Sequence, residues 1–461
     1  MKWRVVVELT GMDGTVQLHE VGSGGNAAAV CSVGTLGLTL ANAKRTLAGL
    51  QRHLVQAQAD EHCRGRRRCQ RCGAQRPLKD MRTRRLTSLF GVVEVRAPRF
   101  SPCRCDVASR RTIAPAAEIM PDRCTLEYER VLAKMGAWLP YRRARRLLEE
   151  FFPLDGNAPM VETIRQRTLH VGGRLEREAV AAPRSAPPAA SRSIALCIDA
   201  GHVRSVRSYQ VRSFEVFTAQ VSNDDGQQVV FSSVPAEADR QRQQLRGVLH
   251  GLGATPGTAI TILSDGADGP RSLGESASIG PTRHVLDWFH LSMRVQHVAQ
   301  TVKGWPDATD GDCQEGARLA DIVEHIRWRL WHGQVKRALD LIGDTLVMLD
   351  ATAETVSPVA ATAGKVARVL RGLETNVAGQ SELIIDYATG RRRDEPISTA
   401  TTEGTVQWLL HRRMGAQQQM RWSPRGAHLM LKVRTSLANG TFDQDHAAAE
   451  RWARRPFRPA A

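Results

Sequence analysis

The sequence predicts a two-part chain: an α/β half built on a mixed sheet, preceded by a cysteine-bearing basic module and a run of helices. Three observations carry this. Strand-like alternation recurs in SIALCIDAGHV, SFEVFTAQVS, QQVVFSSVP, TAITILSD and TRHVLDWF, with helical stretches separating the last three. Four cysteines stand in two close pairs, Cys69-x2-Cys72 and Cys103-x-Cys105. Residues 179–191, AVAAPRSAPPAAS, have no periodic apolar face and read as a linker.

The first 60 residues are expected to give an N-terminal strand and an amphipathic helix. Leu40, Ala43, Leu47, Leu50 and Leu54 recur at alternating steps of three and four behind Thr39, a natural N-cap. Two heptads favour packing within the domain over a coiled-coil seam. Residues 61–112 are expected to form a zinc ribbon. Two close thiolate pairs can close a tetrahedral site, and LTSLFGVVEVRAPRF between them alternates around Gly91 as a hairpin does. Cys69, Cys72, Cys103 and Cys105 are the expected ligands of one structural Zn2+, with His62 or Cys63 as substitutes and buried free thiols as the alternative. Nine cysteines in 461 residues are too few and too scattered for a disulfide scaffold.

The charge pattern points to a polyanionic partner. The chain carries a net charge of +17 and a pI near 10.1, a field that raises encounter rates with nucleic acid. Residues 61–111 alone hold fifteen Arg or Lys against four Asp or Glu. Residues 113–178 read as three helices, TLEYERVLAKMGAWL, YRRARRLLEEFF and VETIRQRTLHVGGRLE. Arg142, Arg143, Arg145 and Arg146 crowd the second and Arg165 and Arg167 lie on the third, so a helix-turn-helix-like DNA-binding domain is expected, with a helical connector as the alternative. No run approaches about 18 apolar residues, and MKWRVVVELTG lacks the apolar core of a signal peptide. A soluble, cytoplasmic protein with no membrane partner is expected.

Beyond the linker, residues 192–290 run strand, strand, strand, helix, strand, helix, strand, the order of the ribonuclease H-like fold. Asp199 ends the alternation of the first strand and Asp265 that of the fourth. Carboxylates at strand ends point into a cleft, and a converging set is what two hard divalent cations, Mg2+ or Mn2+, require. Glu403 opens a helix whose apolar Val406 and Leu410 lie three and seven residues on, so it shares the face that packs toward the sheet. A helix N-terminus that merely favours negative charge is the competing explanation for Glu403. Asp268 is expected to cap the helix after Asp265, and Asp287 forms Asp287-x2-His290 with a histidine better suited to structure or DNA contact than to magnesium.

These features together resemble a bacterial insertion-sequence transposase of the DDE type, nearest to the Kra-type insertion-sequence family. The residues that carry the resemblance are CQRCG and SLFGVVEVRAPRFSPCRC in the first half, and IDAGHV, LSDGADG, DWFH and TTEGTVQWLLHRRMGAQQQMRWSPRGAHLMLKVRTSLANG in the second. The similarity covers nearly the whole chain. It implies Asp199, Asp265 and Glu403 as the catalytic, magnesium-holding triad and Asp287 with His290 as an auxiliary pair. It further implies an all-helical insertion over residues 291–395, which DIVEHIRWRLWHGQVKRALDLIGDTLVMLD permits by its helical period. Trp328 and Trp331 are expected in that insertion's core, with contact to flipped DNA as the alternative. Residues 396–440 would be C-terminal helices of the catalytic core and 441–461 a basic tail. Arg421 and Arg425, which flank Trp422, are expected DNA contacts, with a base stacked on the tryptophan.

The implied activity is metal-dependent cleavage and strand transfer of double-stranded DNA. The partners would be the element's terminal inverted repeats and target DNA, bound by at least a dimer in the bacterial cytoplasm at the nucleoid. A ribonuclease H-like nuclease or resolvase without strand transfer, and a catalytically inactive zinc-containing DNA-binding regulator, are the competing readings.

Overall fold

The computed structural model describes residues 2–25, 36–105, 112–154, 156–181, 189–235, 238–306, 313–356, 359–399, 404–405, 407–418 and 420–450. They fall into two units, one of Met1–Ala181 with Lys432–Ala461 and one of Ala182–Leu431. The expected 61–112 module and 113–178 domain lie together in the first unit, with the end of the chain.

In the first unit, β1 (Lys2–Thr10) and β2 (Val16–Gly25) pair antiparallel, so the expected single strand is a hairpin, irregular between Val5 and Val6. The following helix, α1 (Leu40–Arg66), starts where Thr39 accepts a hydrogen bond from the Asn42 amide at 3.2 Å and runs past the expected Asp60. It lies close on β2. A Cβ at Gly49 would stand 2.5 Å from the Val21 carbonyl oxygen, so glycine is what lets the helix approach. β3 (Leu78–Ser88) and β4 (Gly91–Phe100) form the second hairpin, turned at Gly91 with φ +108°. Its buried Leu86, Val93, Val95 and Ala97 pack with Ala59 and Cys63 of α1 and with Ala116 and Met120. Cys63 is thereby a core residue and not a metal ligand.

The helices α2 (Ala116–Ile119), α3 (Leu126–Trp138), α4 (Tyr141–Phe151) and α5 (Val161–Ala181) follow. Thr125 caps α3 through the Tyr128 amide, and Gly136 lets α3 cross α5, because a Cβ there would meet Thr168 Oγ1 at 2.3 Å. Helix α5 extends to Ala181 and takes the first residues of the expected 179–191 linker; residues 182–188 of that linker lie outside the described residues. A helix at Phe442–Ala448 occupies the start of the expected basic tail, and it carries Asp443 and Asp445. Asp443 pairs with Arg130 and Lys134 of α3. The remainder of the tail, 451–461, lies outside the described residues.

The second unit is built on a five-stranded sheet in the order β7-β6-β5-β8-β9. The strands are β5 (Ser193–Arg204), β6 (Ser213–Asn223), β7 (Gln228–Ser233), β8 (Ala259–Ser264) and β9 (Thr282–Leu286). β5, β6 and β7 form an antiparallel meander, while β8 runs parallel to β5 and β9 parallel to β8. Alternation divides β5 between two layers. Ile194, Leu196 and Ile198 join a core with Leu245 and Leu249 of α6 (Ala238–Gly251) and Leu273 of α7 (Asp268–Ala277). Cys197, on the other face, packs against a core that continues into five helices.

Those helices are α8 (Trp288–Val302), α9 (Cys313–Trp331), α10 (Val335–Ala353), α11 (Ala360–Gly379) and α12 (Tyr387–Arg392). The expected all-helical stretch thus holds among the described residues, although its first helix begins at Trp288. Trp331 packs in this core against Trp288 and Tyr387, with ring centroids 4.8 and 6.0 Å away. Trp328 is 54% exposed and lies against His332, contrary to the expectation that it is core. Among the described residues no helix is long and apolar enough to cross a membrane.

Candidate active site and metal centre

Strand register brings three carboxylates into one row. Cys197 of β5 is paired with Leu263 of β8, and Ser264 of β8 with Leu286 of β9. Continuing these registers by two residues and by one sets Asp199, Asp265 and Asp287 level across three adjacent strands. β8 and β9 end there while β5 runs on to Arg204. The carboxyl ends of parallel strands border the crevice in which open α/β sheets bind ligands.

Asp199 is half-buried and shares a face of β5 with Cys197, toward the helical layer. Burial raises its carboxyl above the ordinary range, and the negative charges of Asp265 and Asp287 push the same way, against the Ala200 amide at 2.7 Å and His290. Like charges crowded in a half-buried crevice are held apart at a cost that a divalent cation would remove.

Asp265 turns the chain into α7. Its Oδ1 accepts from the Ala267 amide at 3.0 Å, and Gly266 takes φ +90°. Gln380, at the end of α11, donates to the Gly266 carbonyl at 3.1 Å and fills the space a Cβ would need. Asp268 does not cap α7 as expected: the capping position is Ala267, without a side-chain hydrogen bond, and Asp268 is the first residue of the helix.

Asp287 is fully buried and caps α8. It accepts hydrogen bonds from the Phe289 and His290 amides, from His290 Nδ1 at 2.6 Å, from the Thr399 amide at 2.8 Å and from the Thr399 hydroxyl. Burial alone would raise its carboxyl, but the donors from His290 and Thr399 outweigh that and hold it below the ordinary range. A carboxylate only accepts, so His290 Nδ1 carries the proton and Nε2 is the ring's other nitrogen. Asp287 raises the affinity of His290 for a proton, with Asp199 and Asp265 adding to it.

Glu403 lies outside the described residues. The chain just after it is described: Leu409 and Leu410 are buried, and Leu410 sits on Gly201, where a Cβ would stand 2.4 Å from Leu410 Cδ1. The segment downstream of Glu403 therefore packs on β5 two residues from Asp199.

In the first unit, Cys69, Cys72, Cys103 and Cys105 come together, with all four sulfurs within 4.8 Å of one another. Cys69 Sγ lies 3.2 Å from both Cys103 and Cys105, and Cys72 lies 4.0 and 3.5 Å from the same two. Gly73, at φ +71°, makes the turn after the first pair. Amides of Cys72 and Arg71, with the neighbouring thiols, lower the Cys69 thiol to about 6, while the same sulfur contacts raise Cys105. Four thiols so placed cannot all ionise unaided, and the set can hold a metal ion such as zinc. Among the described residues this is the one group of three or more ligand-type side chains gathered that tightly; the carboxylate row is wider.

No protein-family profile matches this chain, and no curated protein matches it.

The arginines expected to touch DNA separate into two kinds. Arg142, Arg143 and Arg146 are exposed on α4, and Arg421 and Arg425 are exposed in the second unit. Arg145 pairs with Glu149 and Arg165 with Glu162 on their own helices. Arg167 is buried, held by Asp122 at 2.6 Å and Glu129 at 3.2 Å, and so is structural. Trp422 is also buried: its amide donates to the Arg204 carbonyl, its carbonyl accepts from Val206, and the Arg413 guanidinium lies over its ring at 5.4 Å. That placement removes it as a stacking platform.

Thr399 and Gln380 escape a reading of the sequence. Each acts on a strand-end loop more than a hundred residues earlier in the chain, and neither stands in a motif.

Proposed function

We propose that the chain is a transposase of the DDE type, binding double-stranded DNA through its basic first unit and cutting and joining strands at the carboxylate row of the second. The observation that carries this reading is the level placement of Asp199, within β5, beside Asp265, just past the end of the parallel neighbour β8, with the chain that follows Glu403 seated on Gly201. The sheet order, with an antiparallel meander followed by two parallel strands, supports a ribonuclease H-like core. The hairpin framed by the two cysteine pairs supports a zinc-ribbon reading of the first unit.

Asp199, Asp265 and Glu403 would hold two magnesium or manganese ions. Bound there, such ions lower the pKa of an attacking water and take up the charge of a departing 3′ oxygen. The rest falls to the chain itself. The β5–β8 crevice orients the phosphodiester, Asp199 and Asp265 offer their carboxylates to the ions, and His290, cationic when protonated, supplies a compensating charge. A freed 3′ hydroxyl in the same place can attack a second duplex, so no covalent enzyme intermediate is needed.

The test is a duplex carrying the ends that flank the gene, incubated with and without Mg2+ or Mn2+. Metal-dependent nicking at the boundary and joining to a second duplex are expected from the intact chain. Glu403→Gln and Asp199→Asn should each lower cutting by about a thousandfold, the order expected on removal of a principal charge-stabilising group, and leave DNA affinity within about threefold. Cutting without joining would move the reading to a nuclease or resolvase, and tight binding without cutting to a regulator.

A further inference from the structure

We propose that Asp287 is a positioning residue: its carboxylate fastens the chain where it leaves the helical layer to the point where it enters, and so sets His290 and the approach of the downstream segment to the crevice. The placement of Asp287 in the row invites a different role, as a third metal ligand. Its surroundings argue against that role. A carboxylate offers about four lone-pair sites, and five donors from Phe289, His290 and Thr399 already converge on this one. It is also completely buried, whereas Asp199 and Asp265 are half-open to the crevice.

The same junction is joined on both sides of Asp287. The Trp288 amide donates to the Ile397 carbonyl at 3.1 Å, and the buried Tyr387 hydroxyl donates to the Leu286 carbonyl at 2.8 Å. The described helices between Trp288 and Ile397 therefore begin and end at one spot, and Asp287 is the charged group at its centre. Thr399 contributes both its amide and its hydroxyl, which fixes the backbone direction four residues before Glu403. His290 is held by a backbone and a ring contact at once, with Nε2 the ring nitrogen outside that contact. One carboxylate thus orders two groups that arrive from opposite ends of the helical layer.

The functional half of this inference rests on the phosphoryl-transfer reading, while the structural half does not. The test uses the full chain and three variants, Asp287→Asn, Thr399→Val and Thr399→Ser. Three readouts are compared: amide hydrogen exchange at 397–399 and 289–290, Mn2+ binding by electron paramagnetic resonance, and nicking of the flanking-end duplex. Asp287→Asn and Thr399→Val should each speed exchange at 397–399 by about tenfold to a hundredfold, the worth of a hydrogen bond to a charged group. Both should slow nicking by a similar factor at saturating metal while Mn2+ affinity stays within about threefold. Thr399→Ser, which keeps the hydroxyl, should restore both.

Loss of Mn2+ binding in Asp287→Asn with normal behaviour of Thr399→Val would make Asp287 a ligand and overturn the proposal. Unchanged exchange in both variants would overturn it as well. If the intact chain does not nick DNA at all, the transposase reading fails, and exchange still decides the role of Asp287.

Discussion

Burial makes the charged form of Asp199 costly, and that has a measurable sign. Its carboxyl is raised in the folded chain by burial first and by Asp265 and Asp287 in addition. A raised acid contributes stability below its unfolded value and loses it as pH climbs through the folded value. In the metal-free protein at pH 7, Asp199→Asn should therefore raise the melting temperature, by a few degrees at most for a chain of this size. The gain should vanish as pH falls toward the ordinary value of 3.8, where the wild-type carboxyl is itself protonated. Added Mg2+ or Mn2+ should stabilise the wild type but not the variant. Thermal scans at two pH values with and without metal measure all of this.

His446 shows the opposite sign. Burial and the nearby Arg174 and Arg130 lower it to about 4, and burial with Arg174 lowers His170 to about 4 as well. The folded unit binds fewer protons at these sites than the unfolded chain, so stability present above about pH 6.5 drains away as pH falls toward 4. Denaturant titrations at pH 7 and pH 5 should show the loss, and His446→Gln should shrink the difference between them.

Among the elements, the contact of α1 with β2 decides between two tendencies at one position. Alanine is favoured over glycine inside a helix by roughly 0.5–1 kcal/mol. A Cβ at Gly49 would stand 2.5 Å from the Val21 carbonyl oxygen, a backbone atom that cannot swing away, and overpacking of that kind costs about 1–3 kcal/mol. Steric exclusion wins, so Gly49→Ala should lower stability in chemical denaturation by about 1–2 kcal/mol.

Most elements were legible in the sequence because each carries its own pattern. Period-two runs foretold β5 to β9, the Thr39 cap marked the start of α1, and the cysteine spacing foretold the sulfur cluster. What stayed hidden depends on distance along the chain. The buried pairing of Arg167 with Asp122 and Glu129 looks in sequence like one more basic residue on a basic helix. The exposure of Trp328 depends on which face of α9 the helical core covers, and a tryptophan on either face reads alike. Thr399 and Gln380 acquire their roles only when the helical layer has closed.

At the scale of the molecule, the charge of +17 is spread unevenly in its availability. Arg142, Arg143 and Arg146 stand exposed on α4, whereas Arg167 and Arg174 are spent in the interior against Asp122 and Glu129. Replacing the first three with alanine should reduce the slope of log K against log salt by up to about 2.7, at about 0.9 for each phosphate left without its neutralising cation. Fluorescence anisotropy across a salt series measures this. Arg167→Ala should instead unfold the first unit at lower denaturant with little change in slope, since breaking a buried pair costs about 3–5 kcal/mol.

The return of Lys432–Ala461 to the first unit also sets a sequence of events during synthesis. The ribosome releases α3 and α5 early, yet the residues that complete their packing, Asp443 against Arg130 and Lys134 and His446 against Arg174, are translated only after the whole second unit. The first part of the chain to be made is thus the last to be finished. A nascent or prematurely terminated chain would expose the unfinished surface of its basic half, making it a substrate for proteases and chaperones before it is a stable body.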